Sequence, residues 1–265
     1  MPQAAVDGIS LFYERRGSGE PLLLIQGMSG SHAAWGEPFL GGLGDDLDVV
    51  AYDHRGVGDS TPQTDPFTIV QLADDAAGLL DALGWDDAHV LGISMGGMVA
   101  QELALRHPQR IRTLTLGCTY PGGAEARLAD PALIQELAGA LLSGDRELAL
   151  RTGFKANLSA AHVADEGNWP AFQEMATAVP VAVPVIMLQM QAVMGHDTSA
   201  RLASIEAPTL VVHGTEDRML PVVNGELIAR AIPDARLELL EGVGHMFWWE
   251  EPERSAALVR SHVAG

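Results

Sequence analysis

Ala88-His-Val-Leu-Gly-Ile-Ser94-Met-Gly-Gly-Met-Val-Ala100 is the stretch on which the fold turns. A β-rich run, Ala88 to Ile93, ends at a serine, and the residues after it favour a helix. Gly92-Ile-Ser-Met-Gly96 fits G-x-S-x-G, in which a sharp strand-to-helix turn forces the serine to positive φ and lifts its Oγ above a sheet. Side chains at Gly92 and Gly96 would meet the neighbouring strand and helix, so the pattern is a steric requirement, and Gly97 adds clearance. Five residues alone also fit a glycine-rich turn that merely contains a serine. The strand before and the helix after give the pattern its weight.

Outward from this turn, short β-rich runs recur at Ile9 to Tyr13, Leu22 to Ile25, Val49 to Tyr52, Val90 to Ile93, Thr113 to Leu116, Thr209 to His213 and Leu237 to Leu240. Helical stretches alternate with them. The spacing of Ile69, Leu72, Ala76, Leu79, Leu80 and Leu83 predicts a helix ending at Gly84, a second runs from Met95 to about Arg106 before Pro108, and a last one spans Pro252 to Val263. This alternation predicts an α/β fold: a mostly parallel central sheet with helices on both faces. Residues 120–204 break the rhythm, being rich in Ala and Leu without a convincing strand. They read as a helical cap inserted into a core of residues 1–119 and 205–265. The most apolar stretch, Ala178 to Met194, is interrupted by Pro180, Pro184, Gln189 and Gln191, too short for a membrane span, and reads as a buried or lid-like helix.

A serine hydroxyl needs a base to take its proton and an acid to orient that base. Gly214-Thr-Glu-Asp217 follows the Thr209 to His213 strand, and Gly242-Val-Gly-His245 follows the last strand, giving the order Ser94, Asp217, His245 along the chain. Glu216 is the alternative orienter. His213, inside an apolar strand, reads as a core histidine, and His32 and His196 do not sit at strand ends in this order.

Composition narrows the partners. The 265 residues carry 16 Lys plus Arg against 35 Asp plus Glu, a formal charge of −19, which opposes nucleic acid. A single cysteine, Cys118, excludes an internal disulfide and a multi-thiolate metal site, so a reducing cytoplasm is the default. Met1 to Ser10 has neither a basic nor an apolar region, and no secretory signal is expected. No metal or organic cofactor is needed for the chemistry of these three residues. The sequence assigns no oligomeric state.

Five in-order motifs now stand together: Leu22-Leu-Leu-Ile-Gln-Gly27, Tyr52-Asp-His-Arg-Gly-Val-Gly-Asp-Ser60, Gly92-Ile-Ser-Met-Gly-Gly97, Pro208-Thr-Leu-Val-Val-His-Gly214 with Asp217, and Gly244-His245. In them the chain resembles the α/β-hydrolase superfamily over nearly its whole length outside the cap. Its subgroup resembles small esterases and lactonases similar to 3-oxoadipate enol-lactonase, and the methylesterases that tailor aromatic polyketides. The resemblance implies a Ser94–Asp217–His245 triad and an oxyanion hole of the Met28 and Met95 backbone N–H groups. It assigns Asp53 and Arg55 structural roles. One departure is Gln26, where many relatives carry histidine before the glycine.

The expected reaction is hydrolysis of a small, fairly apolar carboxylic ester or lactone through an acyl group on Ser94. Cofactor-free perhydrolysis of the haloperoxidase type, or ligand sensing with little turnover, uses the same fold. Gly27, Met219 and Met246 beside the catalytic loops, with Met187 and Met190 in the cap, are expected to line the pocket; Met187, Met190 and Met194 at helical spacing fit an ordinary core equally well. Arg151 and Lys155, one helical turn apart, suit either an anionic substrate group or a solvated face.

Overall fold

The computed structural model describes residues 2–265. Eight strands form one sheet in the order β1-β2-β4-β3-β5-β6-β7-β8. The edge hairpin of β1 (Gln3–Val6) and β2 (Ile9–Arg16) is antiparallel, and β2 also pairs antiparallel with β4 (Leu47–Tyr52). From there β4, β3 (Glu20–Ile25), β5 (Ala88–Ile93), β6 (Ile111–Gly117), β7 (Thr209–Gly214) and β8 (Ala235–Leu240) run parallel. Every residue of β4, β5 and β7 is buried, as parallel strands covered on both faces must be. All seven predicted strands are present. β1 is an addition: four residues at an edge, with only Ala4 and Val6 turned inward, leave almost no periodic signal.

The helices are α1 (Glu37–Gly42), α2 (Ile69–Leu83), α3 (Met95–Arg106), α4 (Pro131–Leu142), α5 (Arg146–Asn157), α6 (Ala160–Ala164), α7 (Asn168–Ala178), α8 (Val183–Met194), α9 (Val223–Ala231), α10 (Phe247–Glu250) and α11 (Pro252–Val263). The first long one begins in a capping box: Thr68 Oγ1 accepts the Gln71 N–H, and Gln71 Oε1 accepts the Thr68 N–H. It ends on Gly84 at φ 73°, the left-handed cap that glycine adopts without strain. One core cluster, built around Leu23, Val50, Leu72, Leu79, Val90 and Leu103, lies beneath α2 and α3. The opposite cluster joins Trp35, Phe39, Leu91, Phe247 and Trp248 to Phe154, Trp169 and Phe172 of α5 and α7. Those last three rings meet edge-on or stacked, 5.1 to 6.1 Å between centroids.

Five helices, α4 to α8, fall between β6 and β7, and no strand intervenes. No single helix among the described residues is long and apolar enough to cross a membrane. In the apolar stretch Ala178 to Met194, the helix starts only at Val183, with Pro184 in its first turn, where a proline costs nothing because its missing N–H has no partner there.

Candidate active site

Between Ala88 and Ala104 every residue is buried except Ser94, which is partly exposed at the carboxyl end of β5. It stands at φ 53°, ψ −122°, a region that costs a non-glycine residue about 1–3 kcal/mol and persists only when its surroundings hold it. They do so here from both sides. Ser94 N–H donates to Gly117 O at 3.0 Å, and Ser94 O accepts the hydroxyl of Thr119 at 2.7 Å. A Cβ on Gly92 would overlap Gly96 O, and one on Gly96 would overlap Ile25 O, so both glycines are dictated by the closeness of β5, α3 and β3.

Asp217 follows β7 and is buried. Its Oδ1 accepts the N–H groups of Met219 and Leu220, each at 2.9 Å, and its Oδ2 accepts the Nδ1–H of His245 at 2.7 Å. Burial alone pushes this carboxyl up, but the charge and hydrogen bond of His245 and the hydrogen bond of His213 outweigh it, and the net shift is well below the ordinary carboxylate range. Because Nδ1 of His245 carries the proton that Asp217 accepts, Nε2 is left with a lone pair, the form a general base requires. The two loops meet where Gly214 has no room for a side chain beside Val243 O and Gly244 O. Glu216, the alternative orienter, instead turns its Oε2 to the Ala160 N–H.

Met28 and Met95 flank this centre. Gly27 packs on the serine so closely that a Cβ there would lie 3.0 Å from Ser94 Cβ. Met95 is the first residue of α3, so its N–H has no intrahelical partner, and no acceptor faces the Met28 N–H among the described residues. Gln26 Oε1 accepts the N–H of Gly27 at 2.9 Å, while His54 Nε2 binds Gln26 O at 3.0 Å. Asp53 binds His32 through its backbone N–H at 2.7 Å and its ring Nδ1 at 3.0 Å, and Arg55 makes a two-pronged contact with Asp75 at 2.6 and 2.8 Å.

The expected pocket methionines separate. Met246 is buried, and Met28 and Met219 are half-buried in core clusters. On α8, Met190 is half-buried, but Met187 is 53% and Met194 65% exposed. Met187 is therefore not an enclosed pocket wall, because the buried stripe of α8 runs through Val185, Gln189 and Ala192 instead. Arg151 is engaged by Glu166 at 3.0 Å and lies 3.8 Å over the Trp169 ring. Lys155 and Arg218 line a cleft of about 560 Å³ with Leu158, Val163 and Glu216.

Two side-chain contacts escaped the sequence reading, although His213 is the buried strand histidine expected. His213 is no bystander: its Nε2 lies 2.7 Å from Leu220 O and 3.2 Å from Asp217 Oδ2. Its signal was its place at the end of a strand, four residues before the acid. Gln189, read as an interruption of an apolar run, is fully buried, and its Oε1 accepts the Ser29 N–H at 2.9 Å.

A strained serine after β5, an acid after β7 and a histidine after β8, on a sheet of this order, define an α/β hydrolase. The family described as alpha/beta hydrolase fold matches residues 20–252, and the chain belongs to it. The protein named "Putative carbamate hydrolase RutD" from Azorhizobium caulinodans is 32% identical over 250 residues, 93% of this chain and 92% of that one. A hydrolase from Pseudomonas aeruginosa PA01 superposes with a TM-score of 0.84 at 32% identity, covering 99% and 97% of the two chains. The enol-lactonase from Burkholderia xenovorans LB400 does so with a TM-score of 0.85 at 26% identity, covering 100% of both.

Proposed function

We propose that the protein hydrolyses a small, neutral, fairly apolar carboxylic ester or lactone by acyl transfer to Ser94. The observation that carries this reading is the Asp217–His245 bond at 2.7 Å, which leaves His245 Nε2 unprotonated to serve as the base for Ser94, a strained and partly exposed serine. His245 takes the proton of Ser94 as Oγ attacks the acyl carbon, and Asp217 stabilises the imidazolium that forms. The carbonyl oxygen, now an oxyanion, accepts the N–H groups of Met28 and Met95. His245 then gives its proton to the leaving alcohol, takes one from water, and the second tetrahedral intermediate collapses to release the acid.

Residues 120–204 act as a helical cap over this centre, anchored by the Phe154, Trp169 and Phe172 rings that enter the core cluster. The charge of −19 opposes anionic substrates at long range and favours neutral ones. The names of the relatives support acyl-type substrates: a carbamate for one, an enol-lactone for another.

Labelling by a fluorophosphonate probe, followed by turnover of p-nitrophenyl esters of graded acyl length, small lactones and small carbamates, tests the proposal. Ser94→Ala is expected to lose labelling and to lower kcat by about 10³-fold or more. Full activity in that variant overturns the mechanism, and labelling of the parent without turnover of any substrate favours a ligand sensor.

A further inference from the structure

At three positions α8 inverts the pattern of an ordinary surface helix, although Val185 and Ala192 are buried beside them. Met187 and Met194 face solvent, while the polar Gln189 is 0% exposed. Such an inversion asks what the buried amide holds, because polar groups without a task belong outside. Its Oε1 accepts the Ser29 N–H at 2.9 Å, and its Nε2 has no partner. The amide cannot be turned over, since an N–H donor faces it and only oxygen accepts. Two residues earlier in the same loop, Gln26 Oε1 accepts the Gly27 N–H at 2.9 Å, and its Nε2 is likewise buried without a partner.

The loop from Gly27 to Ser29 thus presents three consecutive N–H groups with different fates. The first and third are each occupied by a glutamine oxygen, and the one between them, Met28 N–H, has no acceptor among the described residues. The turn is closed by Gly30 N–H on Gly27 O at 3.2 Å, and Ser29 stands at its third position with φ 59°. Glycine is the usual occupant of that place, so a serine there needs an external bond to stay.

We propose that Gln189 is a positioning residue for the reaction. By holding the Ser29 N–H it keeps the turn in the one conformation that offers Met28 N–H to the oxyanion on Ser94, and it ties α8 to the chemistry. This rests on the acyl-transfer reading above. Gln189 touches no reacting atom in this account; it acts through the Ser29 turn.

The test compares Gln189→Met, which keeps the volume and removes the acceptor, with the same substitution in a Ser29→Gly background. In Gln189→Met, kcat for p-nitrophenyl butyrate per fluorophosphonate-titrated site is expected to fall about ten- to a hundredfold with KM within about threefold. Affinity for a trifluoromethyl ketone, whose adduct is tetrahedral, is expected to fall by the same factor as kcat/KM. Hydrogen exchange of the peptide spanning Gln26 to Ser31 is expected to accelerate about tenfold or more. Ser29→Gly, which needs no bond to hold positive φ, recovers part of kcat in the Gln189→Met background. A purely structural role would lower the titrated fraction or the thermal midpoint and leave kcat per site unchanged, which overturns the proposal. Unchanged exchange at Ser29 overturns the clamp itself. Absence of turnover in the parent enzyme overturns the acyl-transfer reading and the catalytic part of this proposal, while the exchange measurement still decides the clamp.

Discussion

Asp217 divides its two oxygens between its own loop and His245: Oδ1 accepts the Met219 and Leu220 amides, and Oδ2 accepts the Nδ1–H of His245 at 2.7 Å. Asp217→Asn keeps an acceptor for the two amides but sets an NH₂ group against His245, which then carries its proton on Nε2 and cannot act as a base. Activity on the best ester is expected to drop about 10³- to 10⁴-fold while the circular dichroism spectrum is retained. A drop of less than tenfold would remove Asp217 from the mechanism.

The same carboxylate makes stability depend on acid. Its folded pKa lies below the ordinary carboxylate value of 3.8, so the unfolded chain takes up the proton first. The stabilisation is full above about pH 4 and is lost as the pH falls further. Urea midpoints at pH 5 and pH 3 are expected to differ more in the parent than in Asp217→Asn.

His196 acts in a higher window. Burial pushes its imidazole down from 6.5 to about 4, with Glu102 opposing and Arg201 adding to that shift. Below pH 6.5 the unfolded chain binds a proton that the folded one refuses, so stability falls between pH 6.5 and 4. His196→Gln is expected to remove part of that slope, up to about 2 kcal/mol between pH 7 and 4.5; an identical slope in both proteins would refute the assignment. His54, His89 and His262, also lowered chiefly by burial, add to the same slope.

Phe154 is fully buried, with its centroid 5.5 Å from Trp169 and 5.1 Å from Phe172. Truncation by Phe154→Ala is expected to cost about 3–5 kcal/mol and to loosen α5 and α7 together. Chemical denaturation measures the loss, and limited proteolysis is expected to cut first within residues 143–182.

No methyl group fits at Gly96, where it would overlap the backbone oxygen of Ile25. Gly96→Ala is therefore expected to destabilise by about 3 kcal/mol or more and to abolish fluorophosphonate labelling, because Ser94 and the oxyanion loop are pushed apart. Ordinary labelling at wild-type stability would show that the junction of β3 and α3 yields.

Legibility followed the range of the physics. Ser94 was readable because its turn demands glycines within two residues, and Asp217 and His245 because parallel strands deliver their loops to one edge. The capping of α2 by Thr68 and Gly84 is equally local. What stayed hidden depends on partners far away in the chain. Gln189 and Ser29 are 160 residues apart, and nothing in an apolar run announces that its glutamine is the inward residue. The outward turn of Met187 has the same origin: three methionines at i, i+3 and i+7 describe a face, and only packing decides which way it looks. His213 sat inside a strand pattern that hid its reach to Asp217.

Ser94, Asp217 and His245 stand after β5, β7 and β8; β6 separates the first of these strands from the other two, and the long excursion of α4 to α8 separates them along the chain. No fragment of the chain holds the three together. A refolding molecule with native helices but an incomplete sheet would still be silent toward a serine-directed probe, since non-local parallel pairing is slow to form. Under the proposed mechanism, labelling at Ser94 is a clock for the last strand to dock, and its regain is expected to trail the regain of helical signal.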